Sequence, residues 1–283
     1  MQIAYADYPT PFVSVATILI GSLLALSSAR GELLFSDSFD YPAGNLDGQG
    51  PPPGSPPGQG GWVASNHDPL IAEFGLDFPG ILTAGNSAGL RSIFGTVSDE
   101  AYAAIGPVTP DIGIVWVGFL VREARPPSAN GGFAVVAVIG PSITDPSVGI
   151  GMIFDRNHYG LDNDTGERGS RSVTSVGADM TTVWLVTKFD FTTGREYLWV
   201  NPSPETEPDI ANADAWLPMT AAFQAAGFPY LRLRVGWTRT HALFQFDELR
   251  VATTFAEIVN PFRRRMDVGV AVEPEITTFI QWR

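Results

Sequence analysis

From Ile112 to Trp237 the chain reads as one strand-length apolar run after another, and no apolar stripe recurs at helical spacing. Ile112 to Arg122 (IGIVWVGFLVR) and Gly132 to Ile139 (GFAVVAVI) are nearly continuous, the pattern of strands covered on both faces. Val148 to Phe154 and Ser170 to Val176 follow, separated by a polar stretch predicted as a loop. Val183 to Phe191 and Arg195 to Val200 flank Thr192-Thr193-Gly194 and predict a hairpin. Tyr230 to Trp237 alternates, with Leu231, Leu233, Val235 and Trp237 inward and Arg232 and Arg234 outward. Thirty Gly and 23 Pro against 17% charged residues supply turns rather than long surface helices. Spacing of this kind predicts an all-β fold, a two-sheet antiparallel sandwich. Helices are expected only as short pieces near Ile210 to Ala215, Thr220 to Ala226 and Thr254 to Val259.

The stretch Leu243 to Val251 (LFQFDELRV) is the most informative single strand. Phe244 and Phe246 share one phase, Leu249 and Val251 the other, and Asp247-Glu248 mark the changeover. A period of two that slips by one predicts a β-bulge or a strand bending between sheets. Thr254 and Glu257, three residues apart just beyond it, have the spacing of a capping box. This ending, the opening Asp37 to Gly44 (DSFDYPAG) and Gly60-Gly61-Trp62 resemble the LamG-like jelly-roll domains of the concanavalin A-like lectin/glucanase superfamily, as found in secreted bacterial proteins. The resemblance covers residues 33–260. It implies a jelly roll whose first strand, Leu33 to Phe39, pairs antiparallel with Leu243 to Val251, burying Phe246 and Leu249 on opposite sides of the slip. It also implies a non-catalytic module that binds glycan or surface polysaccharide, or serves adhesion.

Outside that span, Phe12 to Ala29 is the only long apolar run and ends in Ser27-Ser28-Ala29, a small-x-small pattern suited to signal peptidase. Residues 1–29 are therefore expected to be a signal peptide or an N-terminal anchor, although Asp7 and the lack of Lys or Arg depart from a normal n-region. Residues 261–283 read as a linker or tail that opens with a basic cluster, Arg263 to Arg265. The Pro/Gly-rich stretch from Asp40 to Trp62 predicts a long surface excursion. A secreted, extracellular or cell-surface location follows from the leader. The net charge of −13 excludes a nucleic-acid backbone as partner and leaves membrane contact only to an uncleaved N-terminal segment. With no cysteine, the chain carries no disulfide and can reside in either redox compartment.

Catalytic chemistry is hard to find. Glucanases of the superfamily carry Glu-x-Asp-x-x-Glu on one strand, and a retaining carboxylate pair sits roughly 5 to 5.5 Å apart. The nearest match, Glu207 to Asn212 (EPDIAN), lacks the second Glu, and Asp247-Glu248 read as a structural strand-edge motif with turn or Arg partners. His67, His158 and His241 are isolated. No catalytic residue is assigned; a glycoside hydrolase or polysaccharide lyase, or a purely structural surface domain, stands as the alternative. Calcium is the only cofactor the residues point to: Asp155, Asn157, Asp162, Asp164 and Glu167 bring hard oxygen ligands together in one stretch. Trp62, Tyr159 and Trp216 fall in loop-like contexts and are the candidate sugar-stacking aromatics, whereas Trp116, Trp184 and Trp237 sit in strand patterns.

Overall fold

The computed structural model describes residues 31–260 except 68, 94–96, 126–131, 143–146, 155–156, 165–169 and 237–241. The expected leader and tail, and with them Trp237 and His241, lie outside the described residues. The first half of the chain contributes strands β1 (Leu33–Asp37), β2 (Gly44–Asn45), β3 (Val63–Asn66), β4 (Leu70–Ala72), β5 (Ser87–Ile93), β6 (Val97–Val108), β7 (Ile114–Arg125) and β8 (Phe133–Ile139). The second half contributes β9 (Ser147–Met152), β10 (His158–Asp164), β11 (Arg171–Gly177), β12 (Val183–Asp190), β13 (Arg195–Val200), β14 (Ala215–Pro218), β15 (Phe228–Gly236) and β16 (Ala242–Ala252). Two short helices, α1 (Ala221–Ala226) and α2 (Phe255–Val259), complete it, with single 3-10 turns at Pro110–Ile112 and Ile210–Asn212.

The strands form a two-sheet antiparallel jelly-roll sandwich. One sheet runs β14-β13-β12-β7-β16-β5, with β1 also on β16 and β4 on β5; the other runs β11-β10-β9-β8-β15-β6, with β3 on β6. The chain crosses between them through the β5–β6 hairpin, paired at Ser92 and Ser98. Phe119, Val121, Leu198 and Phe246 from the first sheet meet Leu231, Leu233, Val136 and Ile150 from the second in the central core.

A second core lies on the other face of the first sheet, where Trp116, Leu120, Trp184, Val186 and Trp199 are roofed by Phe255 and Ile258 of α2 and by Leu76 and Ile81. The Trp116 ring stacks on Trp199 at 5.7 Å and meets Phe255 edge-on at 5.4 Å. At Gly118 a Cβ would come 3.1 Å from Ile258 Cδ1 and 3.3 Å from Trp184 Nε1, so a side chain there would lift α2 off the sheet. Cover on both faces is why β7 reads as an unbroken apolar run.

The closing strand does what the alternation foretold at its ends and differs at its centre. Ala242 to Phe246 pair with β5, Leu249 to Ala252 pair with β1, and β7 runs along the opposite edge. Register slips between Asp247 and Arg250, and Glu248 has φ 49°, the left-handed conformation of a bulge. Phe246 and Leu249 are not on opposite sides, however: Phe244, Phe246, Leu249 and Val251 all enter the central core at 0% exposure. The bulge inserts one residue, so the second half regains the phase of the first. Thr254 does sit at the N-cap of α2, but its side chain makes no capping bond, so the expected capping box is not formed. Thr220 does cap its helix, accepting from Phe223 N at 3.2 Å.

Of two loop expectations, one holds and one is corrected. The Pro/Gly stretch after β1 is a largely exposed excursion, with its two ends pinned: Asp37 accepts from the Tyr41 hydroxyl at 2.7 Å, the Trp62 indole at 2.8 Å and the Phe39 amide at 2.8 Å. Phe39 stacks on Trp62 at 5.6 Å, which explains why Asp, Phe, Tyr and Trp recur together in the opening motif. The polar stretch expected as a loop between Phe154 and Ser170 contains β10, whose polar residues conceal a strand with Tyr159, Leu161 and Asn163 turned inward.

Candidate functional site

The central strands of the first sheet are covered on both faces. The second sheet sends Leu231, Leu233, Val235, Ala134, Val136, Val138, Val148, Ile150 and Leu161 into the core, so the residues between them face away. Strand register lines these up in rows. One row runs Tyr102, Arg232, Ala137, Gly149, Asp162, Arg171 across six neighbouring strands. At about 4.8 Å per strand gap it spans roughly 24 Å. The row on one side reads Glu100, Arg234, Val135, Gly151, Gly160, Val173. On the other, Tyr230 lies between Ala104 and Ile139, followed by Ser147. Small and apolar residues, all buried, thus occupy the middle of the face, and partly exposed charged and phenolic side chains stand at its flanks.

The flanking side chains are held by one another. Arg234 Nε lies 2.8 Å from Glu100 Oε2, and its guanidinium sits 5.0 Å from the Phe133 ring centroid. Glu100 also accepts from Ser65 Oγ at 2.8 Å and from the Tyr102 hydroxyl. Burial, followed by that bond to Glu100, raises the Tyr102 pKa, so the phenol stays protonated and donates. Arg232 reaches over β8 to Ser147 Oγ on β9 at 3.3 Å and stands 5.9 Å from the Tyr102 ring. At the far flank Arg171 Nε binds Asp162 Oδ2 at 2.8 Å. Chemically, this is a sheet of planar donors, carboxylate acceptors and phenols laid over a small-residue floor.

Other polar groups serve the fold. Asp247 Oδ2 accepts from Leu76 N at 2.7 Å, and Glu248 Oε1 accepts from Ala84 N at 2.6 Å. Arg250 pairs with Glu248 and donates to the carbonyls of Ile258 (2.9 Å), Val259 (3.0 Å) and Leu82 (2.6 Å). This clasp ties α2 and the 74–84 segment to β16, which is the Arg-partnered structural role expected of the Asp-Glu pair. Burial pushes the Asp247 carboxyl up to about 9 despite the amide from Leu76. Above the clasp opens a cleft of ≈ 370 Å³, lined by residues 73–77 and 83–85, with Phe74 72% exposed at its side.

No family model matches the chain, and no curated protein does. Solved structures resemble the chain only distantly. The botulinum neurotoxin serotype C1 binding domain is 9% identical with a TM-score of 0.47, covering 82% of this chain and 52% of that one. A structure of the endo-acting O-glycanases that members of the human gut microbiota express to initiate mucin breakdown is 11% identical with a TM-score of 0.48, over 78% and 98%. The globular domain of Trypanosoma cruzi calreticulin is 11% identical with a TM-score of 0.45, over 73% and 89%. This chain thus spans about half the length of the neurotoxin domain.

Of the three aromatics expected to stack on sugar, two are core. Trp62 is 1% exposed and spends its N–H on Asp37; Tyr159 is 0% exposed between the sheets. Only Trp216, on edge strand β14, presents a face, being 49% exposed with Arg195 4.9 Å from its ring. The acidic stretch is split by β10. Alternation sends Asp162 outward to Arg171 and Asn163 inward, where it is 2% exposed and donates to Pro218 O at 2.8 Å. Asn157 precedes the strand at φ 49°; Asp155 and Glu167 lie outside the described residues, and Asp164 is described only through its backbone pairing with Ser147. Arg232 and Arg234 were legible as outward residues from alternation alone. Tyr102, Tyr230 and Ser147 were not, because only cross-strand register brings them beside the arginines.

Proposed function

We propose that this is a secreted or surface-exposed, non-catalytic, LamG-like module that binds glycan on the outer face of the second sheet. The observation that carries this reading is the row of Tyr102, Arg232, Ala137, Gly149, Asp162 and Arg171 in register. Saccharides offer close-set hydroxyls and weakly apolar ring faces. Planar guanidinium forks match paired oxygens, carboxylates accept from hydroxyls, and a phenol gives both an apolar face and a polar tip. Because these groups already brace one another, little side-chain entropy remains to be lost when a ligand docks.

Binding is measured by affinity electrophoresis and calorimetry against neutral and acidic polysaccharides. The double variant Tyr102→Ala/Tyr230→Ala is expected to weaken binding roughly tenfold or more, while Phe74→Ala, beside the cleft on the other sheet, leaves it unchanged. Loss of binding in Phe74→Ala alone would move the site to that cleft. Release of reducing or unsaturated sugar ends, abolished by Arg232→Ala, would replace the binding module with an enzyme.

A further inference from the structure

Building on the glycan-binding reading, we propose that Arg232 anchors an anionic group, so that the preferred ligand is an acidic saccharide carrying carboxylate or sulfate. Three arginines flank the outer face of the second sheet, and two are already neutralised: Arg171 by Asp162 at 2.8 Å and Arg234 by Glu100 at 2.8 Å. Arg232 differs. Among the described residues it has no carboxylate within ion-pairing distance; its contacts are Ser147 Oγ at 3.3 Å and the Tyr102 ring at 5.9 Å. A guanidinium has five N–H donors, and among the described residues this one meets two uncharged side-chain acceptors, Ser147 Oγ and the Tyr102 hydroxyl. Its Nε is enclosed without an acceptor, which leaves the two terminal nitrogens to meet a ligand.

The setting makes that vacancy unusual. The chain carries a net charge of −13, so carboxylates are plentiful, yet none faces this arginine among the described residues. Instead the site positions it. Ser147 on β9 and Tyr102 on β6 both contact the guanidinium, one to either side of β15. Ala137, 1% exposed, and Gly149, also buried, lie next along that row, so a ligand would meet the guanidinium from the partly exposed flank. At Gly149 an added Cβ would meet Val135 Cγ1 at 3.6 Å and Asp162 O at 3.7 Å, ordinary van der Waals contacts. Bidentate pairing of a planar cation with a carboxylate or sulfate is strong where both partners are partly desolvated.

The test titrates the full chain with polygalacturonate (carboxylate only), a sulfated galactan (sulfate only), dextran (neutral) and duplex DNA (a non-saccharide polyanion). At least one acidic polysaccharide should bind better than dextran, and DNA should not bind. Arg232→Gln should weaken the acidic ligand roughly 10- to 100-fold, without a change in melting temperature and with a shallower salt dependence. Arg232→Lys keeps the charge without the fork and should fall between. Whichever acidic arm binds identifies the anion. Equal binding of dextran and both acidic ligands, or an acidic affinity that survives Arg232→Gln, would overturn this inference and leave the glycan-binding reading intact. Binding of DNA as tight as the polysaccharide would reduce the site to a nonspecific ionic patch and overturn it too. Failure of every saccharide would remove both readings together.

Discussion

Glu196 shows how much a single buried carboxyl weighs in this protein. Its side chain shares the inward face of β13 with Leu198, is 0% exposed, and has no hydrogen-bond partner for either oxygen among the described residues. Burial pushes it up to about 8, with Asn163 offsetting only part. Glu123, at the end of β7, is pushed up to about 7, first by burial and then by Asp179. Both folded-state values lie above the unfolded one, so the folded state holds protons that the unfolded state has released. Stability is therefore full below about pH 4.5 and declines as pH rises through 7 and 8. Thermal melts at pH 5, 7 and 9 should show a falling midpoint, and Glu196→Gln should flatten the decline, regaining on the order of a few kcal/mol at pH 9. A midpoint that rises with pH would contradict both assignments. The Arg250 clasp makes the opposite kind of claim, because there a buried charge meets a carboxylate and three carbonyls. Arg250→Ala leaves Glu248 buried without its cation and strips three carbonyls of a donor. It should cost about 3 to 5 kcal/mol in denaturant titration.

At the scale of elements, β16 joins most of the first sheet, since β5, β1 and β7 all pair with it. Phe246→Ala should cost about 3 to 5 kcal/mol and Leu249→Ala about 2 to 5. Because both side chains enter one core, the two losses should be coupled rather than independent, and a double-mutant cycle checks this. Strict additivity would return them to separate cores. The helix α2 is an element that only tertiary contact supports: it has 5 residues, too few to hold alone, and no side-chain cap. Phe255 is its anchor, within 5.4 Å of the Trp116 ring and 5.8 Å of Trp184. Phe255→Ala should therefore lower stability by about 3 to 5 kcal/mol and red-shift tryptophan emission as the outer core opens to water.

For the whole molecule, a charge of −13 on a fold with few surface ion pairs among the described residues should make stability depend on ionic strength. Lys188–Glu207 at 3.3 Å and Arg171–Asp162 at 2.8 Å are local neutralisations that leave a large acidic excess. Self-repulsion destabilises the compact state, and salt screens it, with a Debye length of about 10 Å at 0.1 M. The melting midpoint should rise by a few degrees between roughly 0.02 and 0.2 M NaCl; a fall would mean that ion pairs outweigh the excess charge.

The same scale separates what the chain spells out from what folding adds. Sequence by itself determined the fold class, the Val183 to Val200 hairpin and a slip of phase at Asp247-Glu248. Each depends on local periodicity or turn chemistry, which a linear pattern records, whereas the antiparallel meeting of first and last strands was legible only through the family resemblance. It also marked Arg232 and Arg234 as outward, since alternation is a property of one strand. Only tertiary structure decided that Trp62 and Tyr159 are core, because a loop-like context does not reveal whether a neighbouring Asp37 or a facing sheet will enclose the ring. Only tertiary structure returned Leu249 to the core of Phe246, since a bulge and a sheet change leave the same trace in the sequence. And the row from Tyr102 to Arg171 draws on strands far apart in the chain; register between strands is set by which apolar faces must meet, and no single strand carries that information.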